Sequence, residues 1–233
     1  MDKKKLSLIF SVIFLVISLV VFLSVKANRK YAERIEVEEQ KKQGAPEELD
    51  ILTLQKQLTG AMELDIAEGN NDAKVVIIEY ASYSCSHCSA FYKNIYPKLK
   101  STYIDSGDVK FVYRDFPLDE PALRASQLVH CLPEDSKKGF MKVLFENQSA
   151  WAYTKQFPEK LENFAKISGM SSELFHSCMA DESLEQKILQ SRLSAHKAFK
   201  ISSTPSLIIN GQRFIGRTNW YEISEYINNL LKN

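Results

Sequence analysis

The sequence predicts an α/β domain interrupted by a long helical insertion and preceded by an apolar N-terminal segment. Three observations carry that expectation. Leu6 to Val25 is twenty residues without a charge, enough at ~1.5 Å rise per residue to cross a ~30 Å hydrocarbon layer. Val75 to Tyr80 is a nearly continuous β-branched run that soon gives way to a helical apolar pattern. About 80 residues with helix signals and no clear strand then separate the strand Val109 to Asp115 from Ile201, where a last strand pair begins.

Composition bounds the rest. A chain of 233 residues, 45% hydrophobic and 25% charged, fits a packed globular protein and excludes collagen-like, low-complexity and wholly disordered classes. Thirty Lys plus Arg against 29 Asp plus Glu leave a charge of +1 without a basic tract, so nucleic acid is not an expected partner. Four cysteines are too few for a disulfide scaffold and enough for a redox site.

Lys3, Lys4 and Lys5 precede the apolar run and orient it to export the downstream chain, although Lys26, Arg29 and Lys30 weaken the asymmetry. Val25-Lys26-Ala27 offers small residues where a signal peptidase reads, so residues 1–27 read equally well as a cleaved signal peptide or a retained membrane anchor. Either places the remainder in the periplasm or another extracytoplasmic space, soluble or tethered. Residues 28–50 form a charged linker, with nine charges in the sixteen positions from Asn28 to Gln43.

The run Val75 to Tyr80 suits a strand buried on both faces. Beyond the short Ala81 to Ser84 connection, Phe91, Ile95, Leu99 and Tyr103 recur every four residues on one helix face, and Pro97 predicts a kink there. Cys85 and Cys88 therefore open a helix that leaves a buried strand. The first amides of a helix lack intrahelical partners and carry partial positive charge. A Cys85 thiolate on those amides would titrate below the free value of ~8.5, and a protonated His87 would add a cation. Cys88 lies one turn further in, shielded, as the resolving thiol. The competing reading is a zinc half-site, but zinc needs four ligands, and Cys131 and Cys178 are isolated, 47 positions apart.

Glu79-x5-Cys85-Ser86-His87-Cys88 after a hydrophobic strand, then Val112-Tyr113-Arg114-Asp115-Phe116-Pro117-Leu118, a helical stretch and Ser203-Thr204-Pro205-Ser206-Leu207-Ile208-Ile209-Asn210-Gly211, form an ordered set of motifs. In these the chain, from about Met62 to Leu231, resembles a DsbA-type thiol:disulfide oxidoreductase of the thioredoxin-like superfamily, with a thioredoxin fold that carries an inserted helical domain. The resemblance implies that Cys85 is the nucleophile and Cys88 the resolving thiol, that Pro205 is cis and faces the disulfide beside Thr204, and that Glu79 sits under the site and helps move the second thiol's proton. It departs at Ser86, where the most oxidising members have Pro, which removes rigidity from the first helical turn. Read from the residues alone, Pro205 is an ordinary strand-start proline. Asn210-Gly211 is a two-residue hairpin signal between Leu207 to Ile209 and Arg213 to Ile215.

The thioredoxin fold is expected over residues 51–118 and 200–233, and the helical domain over 119–199. Within the latter, one helix follows Pro121, a second carries Phe140, Val143 and Leu144, a third follows Pro158, and Ser171 and Asp181 cap a fourth and fifth. Cys131 and Cys178 share this region and read either as a structural disulfide or as free core cysteines. His130, His176 and His196 read as surface or helix-face residues, and Trp151 and Trp220 as packing. The expected function is an exported oxidoreductase that introduces disulfides into reduced or partly folded exported proteins, needs no cofactor or metal, and is reoxidised by a membrane redox partner. The rivals are a reductase or isomerase with the same site, and a non-catalytic peptide-binding or chaperone module around Pro205.

Overall fold

Strand β2 (Val75–Ala81) is the axis of the architecture, because its alternate side chains feed two separate hydrophobic layers. The structure, a computed structural model, describes residues 51–232. The signal or anchor segment and the charged linker lie outside them. Among the described residues, no helix is long and apolar enough to cross a membrane.

The chain enters through α1 (Ile51–Thr59) and a short edge strand β1 (Ile66–Glu68) before β2. It then runs through α2 (Ser86–Asn94), α3 (Tyr96–Leu99) and a π-helical turn at Lys100–Ile104 into β3 (Val109–Asp115). Strand β3 lies parallel to β2, with Val75 opposite Val109. After the helical insertion come β4 (Ser206–Ile209), β5 (Gln212–Arg213) and α10 (Trp220–Lys232). The sheet order is β1-β3-β2-β4-β5, with β1 antiparallel to β3, β4 antiparallel to β2 and β5 antiparallel to β4. The Asn210 and Gly211 φ values of 46° and 81° match the left-handed pair that a tight hairpin turn demands. Strand β5 stops at Arg213, two residues short of the expected Ile215, whose side chain is exposed. The fold class is the expected mixed α/β sheet with helices on both faces.

Val75, Ile77 and Ala81 pack with Phe91, Leu99, Phe111 and the insertion, whereas Ile78 and Tyr80 pack with Leu58, Ala198, Phe199 and Ile208 on the opposite face. That two-sided burial explains why β2 reads as an unbroken apolar run. The helix after β2 breaks at Ile95 (φ −109°, ψ −50°), two residues ahead of Pro97, which lacks the amide that would bond the Lys93 carbonyl. Its expected apolar face is buried on both sides of the break, from Phe91 and Ile95 to Leu99 and Tyr103.

The insertion comprises α4 (Glu120–His130), α5 (Glu134–Glu146), the single turn α6 (Gln148–Trp151), α7 (Phe157–Ile167), α8 (Ser172–Met179) and α9 (Glu182–Phe199). Asp119, Ser171 and Asp181 cap α4, α8 and α9 by accepting from Ala122, Leu174 and Leu184 amides. Cys131, at the end of α4, is joined to Cys178 on α8. His130 is a helix-face residue on the inner side of α4: its side chain is buried against Asp115, with Nε2 2.6 Å from the carboxylate that also accepts from Ser126. Trp151 is buried and donates to the Leu144 carbonyl, and Trp220 packs on the Tyr103 ring.

One buried cation pins the entry to the sheet. Arg114 on β3 makes a two-pronged pair with Asp65 at 2.6 and 2.7 Å and donates also to the Leu58 and Gly60 carbonyls and the Tyr80 hydroxyl. Its partners use the planar fork in a way a lysine could not.

These contacts set two expectations for stability. Asp65→Ala leaves Arg114 buried without its counter-charge and should lower unfolding free energy by about 3–5 kcal/mol in urea titration; a loss under ~0.5 kcal/mol would show the pair to be dispensable. Replacing both Cys131 and Cys178 by Ala should cost ~4 kcal/mol in the same titration on the chain-entropy estimate for a loop of this length, and the Cys85–Cys88 pair should still oxidise and reduce in the variant.

Candidate active site

Cys85 occupies the N-cap of α2, with extended backbone (φ −76°, ψ 118°), because the buried β2 ends at Ala81 and four residues suffice to turn the chain. Both cysteines are free; Cys85 is half-buried and Cys88, one turn on, is fully buried. The Thr204–Pro205 peptide is cis, and the Thr204 carbonyl accepts from the Cys85 thiol at 3.2 Å. The structure thus brings Cys85, Cys88, His87, Thr204 and Pro205 together at one end of the sheet.

The two sulfurs experience opposite fields. The Cys85 pKa falls from its usual 9.0 to about 5: the Cys88 thiol donates to it, burial opposes, and Thr204 and the Cys88 and His87 backbone amides lower it further. The Cys88 thiol is pushed far up, first by burial and then by donating to Cys85 and by the charges of Glu79 and Cys85. The Thr204 hydroxyl lies near both sulfurs, buried and short of hydrogen-bond geometry with any described residue. The His87 ring is exposed, and it is the backbone amide of this residue, rather than its imidazole, that approaches the Cys85 sulfur.

Glu79 projects from β2 beneath the cysteines and is buried, with 3% of its surface exposed. No hydrogen bond from the described residues reaches its carboxyl. Burial, then the Cys85 charge, pushes its pKa up to about 8.

Residues that sequence reasoning missed hold the loop in place. Gln148 Nε2 on α6 donates to the Tyr83 carbonyl at 2.7 Å and to the Cys85 carbonyl at 2.9 Å. The Tyr153 hydroxyl donates to the Ser84 carbonyl and lies 3.0 Å from Gln148 Oε1. Ser89 on α2 donates to the Phe145 carbonyl of α5. Three successive carbonyls before the helix are therefore fixed by the insertion. No periodicity or motif marks Gln148; its neighbour Trp151 is the one signal that this turn is buried. A groove of ≈ 410 Å³ beside Cys85 is lined by His87, Phe91, Ile95, Thr204 and Pro205 among others. Among the described residues, no group of three or more His, Cys, Asp or Glu side chains could hold a metal ion.

The arrangement can exchange disulfides: one accessible acidic thiol, one shielded basic thiol, a buried carboxyl able to hold a proton, and an open groove. Comparison with known proteins agrees. The family described as thioredoxin matches residues 62–229. The crystal structure of Wolbachia pipientis alpha-DsbA1 superposes with a TM-score of 0.71 at 28% identity, covering 76% of this chain and 96% of that one. Oxidised BdbD from Bacillus subtilis gives 0.66 at 25% identity, over 74% and 96%. A Rickettsia bellii protein assigned as a protein-disulfide oxidoreductase is 31% identical over 150 residues, 64% of this chain and 58% of that protein, so the match spans little more than half of that relative. The chain belongs to the thioredoxin family, and its solved structural neighbours include DsbA proteins.

Proposed function

We propose that the chain is an exported thiol:disulfide oxidoreductase that introduces disulfides into reduced or partly folded proteins through Cys85 and Cys88. The observation that carries this reading is the opposed acidity of two thiols one helical turn apart. The Leu6 to Val25 run supports export, and the relatives' names support the reaction class.

In the oxidised enzyme a substrate thiolate attacks Cys85. A new sulfur–sulfur bond forms to Cys85, the Cys85–Cys88 bond breaks, and its electron pair leaves on Cys88, which takes a proton from Glu79. A second substrate thiolate then attacks the substrate sulfur of the mixed disulfide and expels Cys85 as a stabilised thiolate. A leaving thiolate with low pKa departs quickly, and a stabilised reduced form makes the pair an oxidant. Reoxidation runs the exchange in reverse with a membrane redox partner, Glu79 accepting the Cys88 proton. His87 supports the same helix end through its backbone amide.

Thr204 and Pro205 are assigned to substrate binding because their peptide edge flanks the sulfur. The Thr204 carbonyl at 3.2 Å from Cys85 lies where an extended chain could add alongside. The test is transfer of disulfides to reduced, unfolded ribonuclease. The oxidised protein should return activity to it, and Cys85→Ser should not. If Cys85→Ser instead matches the wild type in promoting refolding with an added glutathione redox buffer as the oxidant, the chain acts by binding peptide or as a chaperone.

Two pH predictions complete the reading. Iodoacetamide should label Cys85 but not Cys88 in the reduced folded protein, with the rate rising through a midpoint about 5; equal labelling would refute the division of roles. Glu79, raised in the folded state from 4.5 to about 8, favours folding fully below 4.5 relative to its ionised form, and that advantage is lost as pH rises through 8. Glu79→Gln should therefore stabilise the reduced protein above pH 8 and not below pH 4; identical stability curves would contradict the buried-acid assignment.

A further inference from the structure

With both cysteines free, no covalent bond restrains the Cys85 sulfur. It rests on the His87 and Cys88 amides only while the Cys85 backbone keeps its extended N-cap conformation. A proline at the next position would bias Cys85 to that conformation, because its ring disfavours helical backbone in the residue before it. Ser86 exerts no such bias, so the restraint has to come from elsewhere in the fold.

Gln148, on the single turn α6 of the insertion, is placed to supply it. The residue is buried, with 5% of its surface exposed. Its amide nitrogen carries two hydrogens and both are engaged, one on the Tyr83 carbonyl at 2.7 Å and the other on the Cys85 carbonyl at 2.9 Å. The Cys85 carbonyl also accepts the first bond of α2, from the Ser89 amide at 3.1 Å. The direction of that carbonyl fixes ψ of Cys85, and this angle decides whether the following amides meet the sulfur. The other end of the Gln148 amide is held as well: Oε1 lies 3.0 Å from the Tyr153 hydroxyl, whose one hydrogen is shared with the Ser84 carbonyl, also at 3.0 Å. Trp151, fully buried and bonded to the Leu144 carbonyl, anchors the turn that carries Gln148.

We propose that Gln148 is a positioning residue for disulfide exchange: it holds the Cys85 backbone so that the sulfur stays on the helix amides once its bond to Cys88 is broken, and thereby favours the reduced pair over the disulfide. The inference rests on the proposed exchange cycle through Cys85 and Cys88. In the disulfide form the covalent link to Cys88 restrains Cys85 by itself, so the glutamine stabilises the reduced form more than the oxidised one. A more stable reduced form makes the pair a stronger oxidant. The cysteines belong to the sheet domain, whereas the donor that tunes them comes from the insertion. Tyr153, 63% exposed, backs Gln148 from the solvent side and acts through it.

Gln148→Met keeps the length of the side chain and removes the donor. In the reduced full-length variant the Cys85 thiolate, followed by its ultraviolet absorbance, should form at a higher pH than in the wild type. The equilibrium constant with glutathione should shift about tenfold toward the disulfide, or ~30 mV, the size expected when hydrogen bonds to buried carbonyls are lost. Ser86→Pro should recover most of that loss in Gln148→Met and change the wild type much less, since proline biases Cys85 to the same extended backbone. A general packing defect would not be repaired in this way. Tyr153→Phe, a change at an exposed residue, should move both readouts in the same direction by a smaller amount, and it carries the test if Gln148→Met does not fold. Wild-type values of both quantities in Gln148→Met, or in Tyr153→Phe where Gln148→Met does not fold, would overturn the positioning role. Equal effects of Ser86→Pro with and without Gln148 would overturn it too. The cycle beneath it is tested separately: if the oxidised wild type returns no activity to reduced ribonuclease, that reading fails whatever the Gln148 variants show.

Discussion

The turn from β2 into α2 is the constraint on which the site depends. A strand buried on both faces cannot shift its register without moving an apolar side chain to the wrong layer, so the position of its end is fixed. The N-cap of the next helix lies four residues later, and the helix's unpaired amides meet whichever side chain stands there. Because that side chain is Cys85, the end of a strand buried on both faces delivers a sulfur to the unpaired amides of a helix N-terminus. Cys88 falls one turn inside the same helix and is buried by the packing that holds α2 on the sheet. Accessibility and acidity are therefore separated by helix geometry.

The insertion holds the loop that carries Cys85. Gln148, Tyr153 and the α5 carbonyl bonded by Ser89 reach back to the loop and the first turns of α2, fixing the Tyr83, Ser84 and Cys85 carbonyls. Without proline at Ser86, the rigidity of the first helical turn has to come from such contacts. The Cys131–Cys178 link and the Asp115–His130 pair tie α4 to α8 and to β3, which keeps the clamp in register with the sheet. Arg114 performs the matching task on the other face, binding α1 and the approach to β1 to the same strand.

Much of this is legible in the sequence, and the limits are physical. Val75 to Tyr80 announces a central strand because burial on both faces leaves a continuous apolar run, and the four-residue spacing from Phe91 to Tyr103 announces the helix that carries the cysteines. Asn210-Gly211 marks the last hairpin. The three-residue strand β1 has too few residues for a period to show, and the expected β5 overruns the real one because Phe214 and Ile215 look strand-like in isolation. His130 reads as a surface or helix-face residue, since nothing local reveals that Asp115, fifteen residues earlier, pairs with it. Gln148 is invisible for the same reason: its two bonds reach residues more than sixty positions away. The chemistry at Cys85 and Cys88 can be reasoned from motif and placement, whereas the backbone clamp exists only once distant segments meet.

The central claim is that the acidity of Cys85 stabilises the reduced pair and makes the chain an oxidant. Equilibrating the protein with glutathione redox buffers and scoring the Cys85–Cys88 disulfide gives its reduction potential directly. The account predicts a value well above the ~−270 mV of thioredoxin and towards the ~−120 mV of DsbA. A value at or below ~−270 mV would mean that the thiolate is not stabilised in the reduced state and that the pair reduces its partners.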